Sequence, residues 1–120
     1  MIRFLNVSPD QVDALPFEAI EFLDRAIKCT PASTARLDIT MDIARKGFGN
    51  IYIIMDEEEI VGTTYILSYD TPEGKIVSPV LLGGKNMKKW RDDYFNFITN
   101  FLTTNDAVCL VANEGSIANG

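Results

Sequence analysis

The sequence predicts an α/β (α+β) chain built on a mixed, twisted five-stranded sheet flanked by helices, in the order β-α-α-β-β-β-α-β. Three observations carry that expectation. Short apolar runs rich in Ile, Val, Leu and Tyr recur between turn residues, as strands do. Three longer segments place apolar residues at helical spacing. A length of 120 residues with 47% hydrophobic content suits one core, so residues 1–120 are expected to form a single domain.

Strand one is expected over residues 2–7, ended by Ser8-Pro9-Asp10. Residues 17–28 carry Ile20, Leu23 and Ile27 on one side and Glu18, Glu21, Asp24 and Lys28 on the other, which is an amphipathic helix stopped before Thr30-Pro31. Ser33 or Thr34 can cap a second helix bearing Leu37, Met41 and Ala44, with Gly47 as its left-handed terminator. Residues 50–55 and 60–69 read as a hairpin around Asp56-Glu57-Glu58-Glu59. Four consecutive carboxylates point in different directions and read as a solvated loop rather than a metal site.

Residues 75–82 form the expected fourth strand. Pro79 removes one ladder donor there, so the strand should lie at an edge, bulge or splay at that point. A long helix follows with Met87, Trp90, Tyr94, Phe97, Ile98 and Phe101 along one face, an aromatic stripe that reads as core. Residues 107–112 are the last strand, parallel to the fourth because a helix connects them.

Composition narrows function. Net charge is −6 with a pI near 4.5, the wrong sign for coating nucleic acid or an anionic membrane. No apolar run approaches the roughly 20 residues of a membrane span, and the N-terminal stretch is too short and polar for a signal peptide, so a cytoplasmic location is expected. Cys29 and Cys109 stand in apolar surroundings and read as reduced buried thiols. The chain contains no His, which excludes His-based triads and makes a zinc site, or any metal cofactor, unexpected.

The most informative stretch is the passage through Leu81, Leu82, Gly83, Gly84, Lys85 and Asn86 into the long helix. A strand entering a helix through two glycines presents free N–H groups where the helix dipole favours an anion. Lys85, Lys88 and Lys89 add positive charge in an otherwise acidic chain. A tight turn capped by Asn86, with lysines for solubility, explains the same residues equally well. Neither the Walker pattern nor the dinucleotide fingerprint is present.

These residues together resemble the GNAT superfamily of N-acyltransferases. Residues 51–62 are similar to that family's second and third strands, with Val61-Gly62 opening the third. Residues 83–88 lie on its Arg/Gln-x-x-Gly-x-Gly/Ala turn, and Asn113-Glu114-Gly115-Ser116-Ile117 is similar to the Asn-x-x-Ala-Ile after its fifth strand. Gly83 stands where the family has Arg or Gln, Asn86 for the first glycine and Lys88 for the last Gly/Ala. The sequence ends at Gly120, before the family's fourth helix and last two strands. The Gly-Gly pair with Trp90 six residues after Gly84 also looks like GNAT-type proteins of tailed bacteriophages, some of which would serve as virion or host-interaction parts, in the virion or host cytoplasm.

The resemblance implies acetyl-CoA or another acyl-CoA as ligand. Leu81 and Leu82 would offer backbone groups to the pantetheine, Gly83, Gly84, Lys85 and Asn86 would hold the pyrophosphate, and Asn113 would bond the pantetheine arm. An amine would attack the thioester directly, and without His a carboxylate or an ordered water must take its proton. Glu73 is the carboxylate candidate, although it also reads as a turn residue. The alternative is a catalytically degenerate binding or structural module. The strands missing relative to the family would leave a sheet edge, and covering it would produce a homo-oligomer or larger assembly.

Overall fold

The computed structural model describes residues 1–29, 37–104 and 107–110. Its strands are β1 (Ile2–Val7), β2 (Asn50–Asp56), β3 (Glu59–Thr71), β4 (Gly74–Gly84) and β5 (Ala107–Leu110), and its helices α1 (Phe17–Cys29), α2 (Leu37–Arg45) and α3 (Met87–Thr104). The five strands form one sheet in sequence order, antiparallel from β1 to β4 and parallel between β4 and β5. The expected architecture is the observed one, with one addition: a 3-10 turn over Pro9–Ala14. Its signal is Ser8 followed three residues later by Gln11, whose Oε1 accepts from the Ser8 hydroxyl at 2.8 Å, with Pro9 at the first helical position. The turn buries Val12.

Two cores lie on opposite faces of the sheet. One joins Ala19, Leu23, Ala26 and Ile27 of α1 and Met41 and Ala44 of α2 to Ile51, Ile53, Tyr65 and Leu81. The other joins Met87, Trp90, Tyr94 and Ile98 of α3 to Ile54, Ile66, Val77 and Leu82. Leu81 and Leu82 therefore point to opposite faces, as strand alternation requires. Phe97 of the same stripe stacks on Phe4 with centroids 4.3 Å apart and meets Tyr52 edge-on at 4.9 Å.

Helix α1 sits closer to the sheet than its large apolar residues suggest. It buries Ala19, Phe22 and Ala26 besides Leu23 and Ile27, while Ile20 is only partly covered. The two alanines let its backbone approach: the Thr63 hydroxyl donates to the Ala19 carbonyl at 2.9 Å. Gly47 terminates α2 at φ +85°, with its N–H on the Ala44 carbonyl. The candidate caps Ser33 and Thr34 lie outside the described residues. Cys29 corrects an expectation. As the last residue of α1 it stands past the sheet-facing stripe and is exposed.

The strand pairing shifts register at Ile54 and Met55 of β2, at Tyr65 and Ile66 of β3, and at Lys75 and Ile76 of β4. At Tyr65 and Ile66 of β3 the partners on β4 are Leu81 and Pro79, so Val80 is an extra residue and β4 bulges beside its proline. β5 pairs with β4 only at Lys75, Ile76 and Val77 among the described residues. Past Val77, β4 is thus described with a partner strand on one side alone.

Candidate functional site

The strand-to-helix passage lies elsewhere than the glycines suggested. Gly83 and Gly84 belong to β4 and are buried. A Cβ on Gly83 would collide with the Phe22 carbonyl oxygen of α1 and stand 3.3 Å from the Ala26 side chain. A Cβ on Gly84 would meet the Val61 carbonyl oxygen at 2.5 Å and the Trp90 ring at 2.7 Å. Each glycine is required by packing against one face of the sheet. The turn itself is Lys85-Asn86.

Asn86 takes φ +54°, a left-handed conformation that Asn tolerates better than most residues. It therefore meets the backbone demand that a glycine there would meet. Trp90, fully buried, anchors the turn by donating its indole N–H to the Lys85 carbonyl at 2.8 Å, while the Lys85 N–H donates to the Val61 carbonyl at 2.8 Å. The first-turn N–H groups of Met87 and Lys88 have no carbonyl within α3 to reach.

Backbone direction alternates along β4. The Leu81 carbonyl accepts from Thr64 of β3, the Gly83 carbonyl lies beside Gly62 of β3, and the Lys85 N–H bonds Val61 of β3. Leu82 and Gly84, the intervening residues, turn their N–H and C=O groups the other way, to the side where β5 pairs only as far as Val77. Of the expected binding residues, Leu82, Gly84 and Asn86 are thus brought to one side and one end of β4. Leu81, Gly83 and Lys85 commit backbone groups to β3. Asn113 lies outside the described residues.

The lysines are less available than their number implies. Lys89 Nζ stands 2.7 Å from Asp56 Oδ2 and Lys85 Nζ 3.4 Å from Glu59 Oε2, because the acidic β2–β3 turn lies against the start of α3. The hydrogen bond from Lys89 holds the Asp56 carboxyl below the usual range, and the same bond raises the Lys89 ammonium. Lys88 is exposed and has no carboxylate partner among the described residues. Glu73 lies at the exposed β3–β4 tip, its N–H on Thr71 Oγ1 at 3.3 Å. Eleven residues separate it from Gly84 at the α3 end of β4, roughly 35 Å of extended strand. It is not brought together with the turn.

Sequence reasoning missed a buried polar pair. Thr64 Oγ1 donates to the Leu81 carbonyl at 2.8 Å and lies 2.9 Å from the Tyr94 hydroxyl. Burial pushes the Tyr94 phenol up to about 12, so it stays a neutral hydroxyl through the physiological range. The available signal was Thr63-Thr64 in mid-strand and a Tyr in the core stripe of α3. No group of three or more His, Cys, Asp or Glu able to hold a metal occurs among the described residues, and no described helix is long and apolar enough to cross a membrane.

A mixed sheet with a bulged fourth strand leading into a helix is the fold of the GNAT acetyltransferases, and solved structures of that class superpose on nearly the whole chain. A ribosomal-protein-alanine N-acetyltransferase from Brucella melitensis biovar Abortus 2308 aligns with a TM-score of 0.69 at 8% identity, over 94% of this chain and 79% of that one. A predicted acetyltransferase with acetyl-CoA from Clostridium acetobutylicum gives 0.66 at 10%, over 96% and 82%. A possible acetyltransferase from Clostridium difficile 630 gives 0.67 at 14%, over 94% and 79%. At these identities the likeness is one of fold. The sequence matches no protein-family model and none of the curated proteins compared with it.

Proposed function

We propose that the protein binds an acyl-CoA along the side of β4 that faces away from β3 and transfers the acyl group to an amine. The observation that supports this reading is the backbone alternation of β4. It directs Leu82 and Gly84 to that side and ends at the N–H groups of Asn86, Met87 and Lys88. Such a set suits an extended ligand whose amide-bearing arm leads to a pyrophosphate. Leu82 then serves the pantetheine, the start of α3 serves the pyrophosphate, and Lys88 supplies a cation. Leu81, Gly83 and Lys85 hold the strand and turn in place. The amine nitrogen bonds to the thioester carbon, the carbon–sulfur bond breaks, and an ordered water carries the amine proton to the departing thiolate. Solved neighbours include an acetyltransferase with acetyl-CoA, which supports this class of ligand.

Calorimetric titration with acetyl-CoA and free CoA tests the reading. Micromolar binding of both is the expected result, and no heat up to millimolar cofactor overturns it. The acidic turn gives a sharper handle, because Asp56 and Glu59 compete with any anion for Lys89 and Lys85. Asp56→Asn and Glu59→Gln are each expected to tighten CoA binding about two- to fivefold, the value of an exposed ion pair released. That gain should shrink in 1 M salt.

A second reading has one observation in its favour. β1 is an outer strand of the sheet and pairs only with β2 among the described residues. Under this reading the chain is a module without transfer chemistry that assembles as a homo-oligomer through a sheet edge. A compact monomer on gel filtration at high concentration overturns it.

A further inference from the structure

The buried pair Thr64 and Tyr94 has a fixed hydrogen-bond direction. A threonine hydroxyl carries one hydrogen. That of Thr64 goes to the Leu81 carbonyl, which can only accept, so the Tyr94 hydroxyl must donate to Thr64. The result is a one-way chain from Tyr94 through Thr64 to the Leu81 oxygen. Tyr94 and Thr64 are both buried, where hydrogen bonds in series polarise one another.

The peptide that receives this chain joins Leu81 to Leu82. No peptide bond among the described residues is cis, so the Leu82 N–H points opposite to the Leu81 C=O. The carbonyl faces β3; the N–H therefore faces the side of β4 that β5 does not cover among the described residues. Drawing electron density toward the Leu81 oxygen makes the Leu82 N–H a stronger donor on that side.

We propose that Tyr94 and Thr64 are positioning residues that lock and polarise the Leu81–Leu82 peptide, so that the Leu82 N–H receives a carbonyl oxygen of the bound acyl-CoA. This rests on the acyl-CoA reading above. It adds to that reading the two side chains behind the Leu82 donor. Thr64 and Tyr94 touch no ligand in this arrangement; both act through one backbone group.

The test compares Thr64→Val, Thr64→Ser and Tyr94→Phe by backbone NMR and by acetyl-CoA titration. Thr64→Val keeps the shape and removes the donor. It is expected to shift the Leu81 carbonyl carbon and the Leu82 amide proton upfield, with Val77 unmoved, and to weaken acetyl-CoA binding about three- to tenfold. Thr64→Ser should restore both readouts, and Tyr94→Phe should fall between because Thr64 still donates. Thr64→Val that leaves the Leu82 amide and the affinity unchanged overturns the proposal, as does a loss of affinity that Thr64→Ser fails to rescue. If the unmodified protein binds no acetyl-CoA, the acyl-CoA reading fails, and this proposal fails with it as to ligand; the Leu81 and Leu82 resonances then decide the polarisation alone.

Discussion

Replacing Gly83 with alanine is expected to destabilise the protein by about 3 kcal/mol or more, at the upper end of what overpacking costs, and to lower its melting temperature by roughly 10 °C. The added methyl meets the Phe22 carbonyl oxygen, with the carbonyl carbon behind it at 2.9 Å. Both are backbone atoms in the middle of α1, so neither can rotate away as a side chain would. Relief requires α1 to lift off β4, which opens the core around Ala19, Leu23 and Ala26 and stretches the bond from Thr63 to the Ala19 carbonyl. Gly47→Ala is the informative control. Among the described residues its Cβ meets only Pro9, at 4.0 Å, so its cost is the left-handed φ of +85° and amounts to about 1 kcal/mol. Thermal unfolding of the two variants separates the effects. A Gly83→Ala protein that melts within a few degrees of the original contradicts the close seat of α1 on β4.

Trp90→Ala is expected to cost about 3 to 5 kcal/mol, the range for emptying a large buried aromatic site. Trp90 is 0% exposed and covers the bare backbone of Gly62 and Gly84, where a Cβ would stand 3.2 Å and 2.7 Å from its ring. The two residues directly beneath the ring, Gly62 and Gly84, have no side chains to move into that space. The substitution also releases the Lys85 carbonyl from the indole N–H, so the turn loses its anchor. Trp90→Phe separates the contributions. It keeps most of the ring, loses the N–H, and should cost about 1 to 2 kcal/mol while loosening the Asn86 turn. Denaturant unfolding reads the stabilities. A Trp90→Ala protein as stable as the original contradicts the role assigned to the ring.

The element order was legible because helical and strand periodicities are local, and the bulge in β4 was announced by Pro79. What escaped is long-range. Gly83 and Gly84 before a helix read as the turn itself, since nothing local reveals that Phe22, sixty-one positions away, presses its backbone against one of them. Leu23 and Ile27 lie on the buried face of α1 as their spacing suggested, whereas Ile20 is only partly covered and the sheet also takes Ala19 and Ala26, which are small enough to let the helix approach. Lys85 and Lys89 looked like a phosphate cradle until the hairpin brought Glu59 and Asp56 beside them. Asn86 looked like a departure from a glycine pattern, yet its φ of +54° shows a residue suited to the same backbone position. Among the candidate binding residues, Leu82, Gly84 and Asn86 came together through strand alternation, which only the register with β3 could assign.

Amide mapping of acetyl-CoA on the folded protein tests the central claim most directly. Titration of the 15N-labelled chain is expected to shift the amides of Leu82, Gly84, Asn86, Met87 and Lys88, leaving those of Leu81 and Gly83, directed at β3, nearly unmoved. Unchanged spectra at millimolar acetyl-CoA, or shifts confined to surfaces away from β4 and the start of α3, would contradict it.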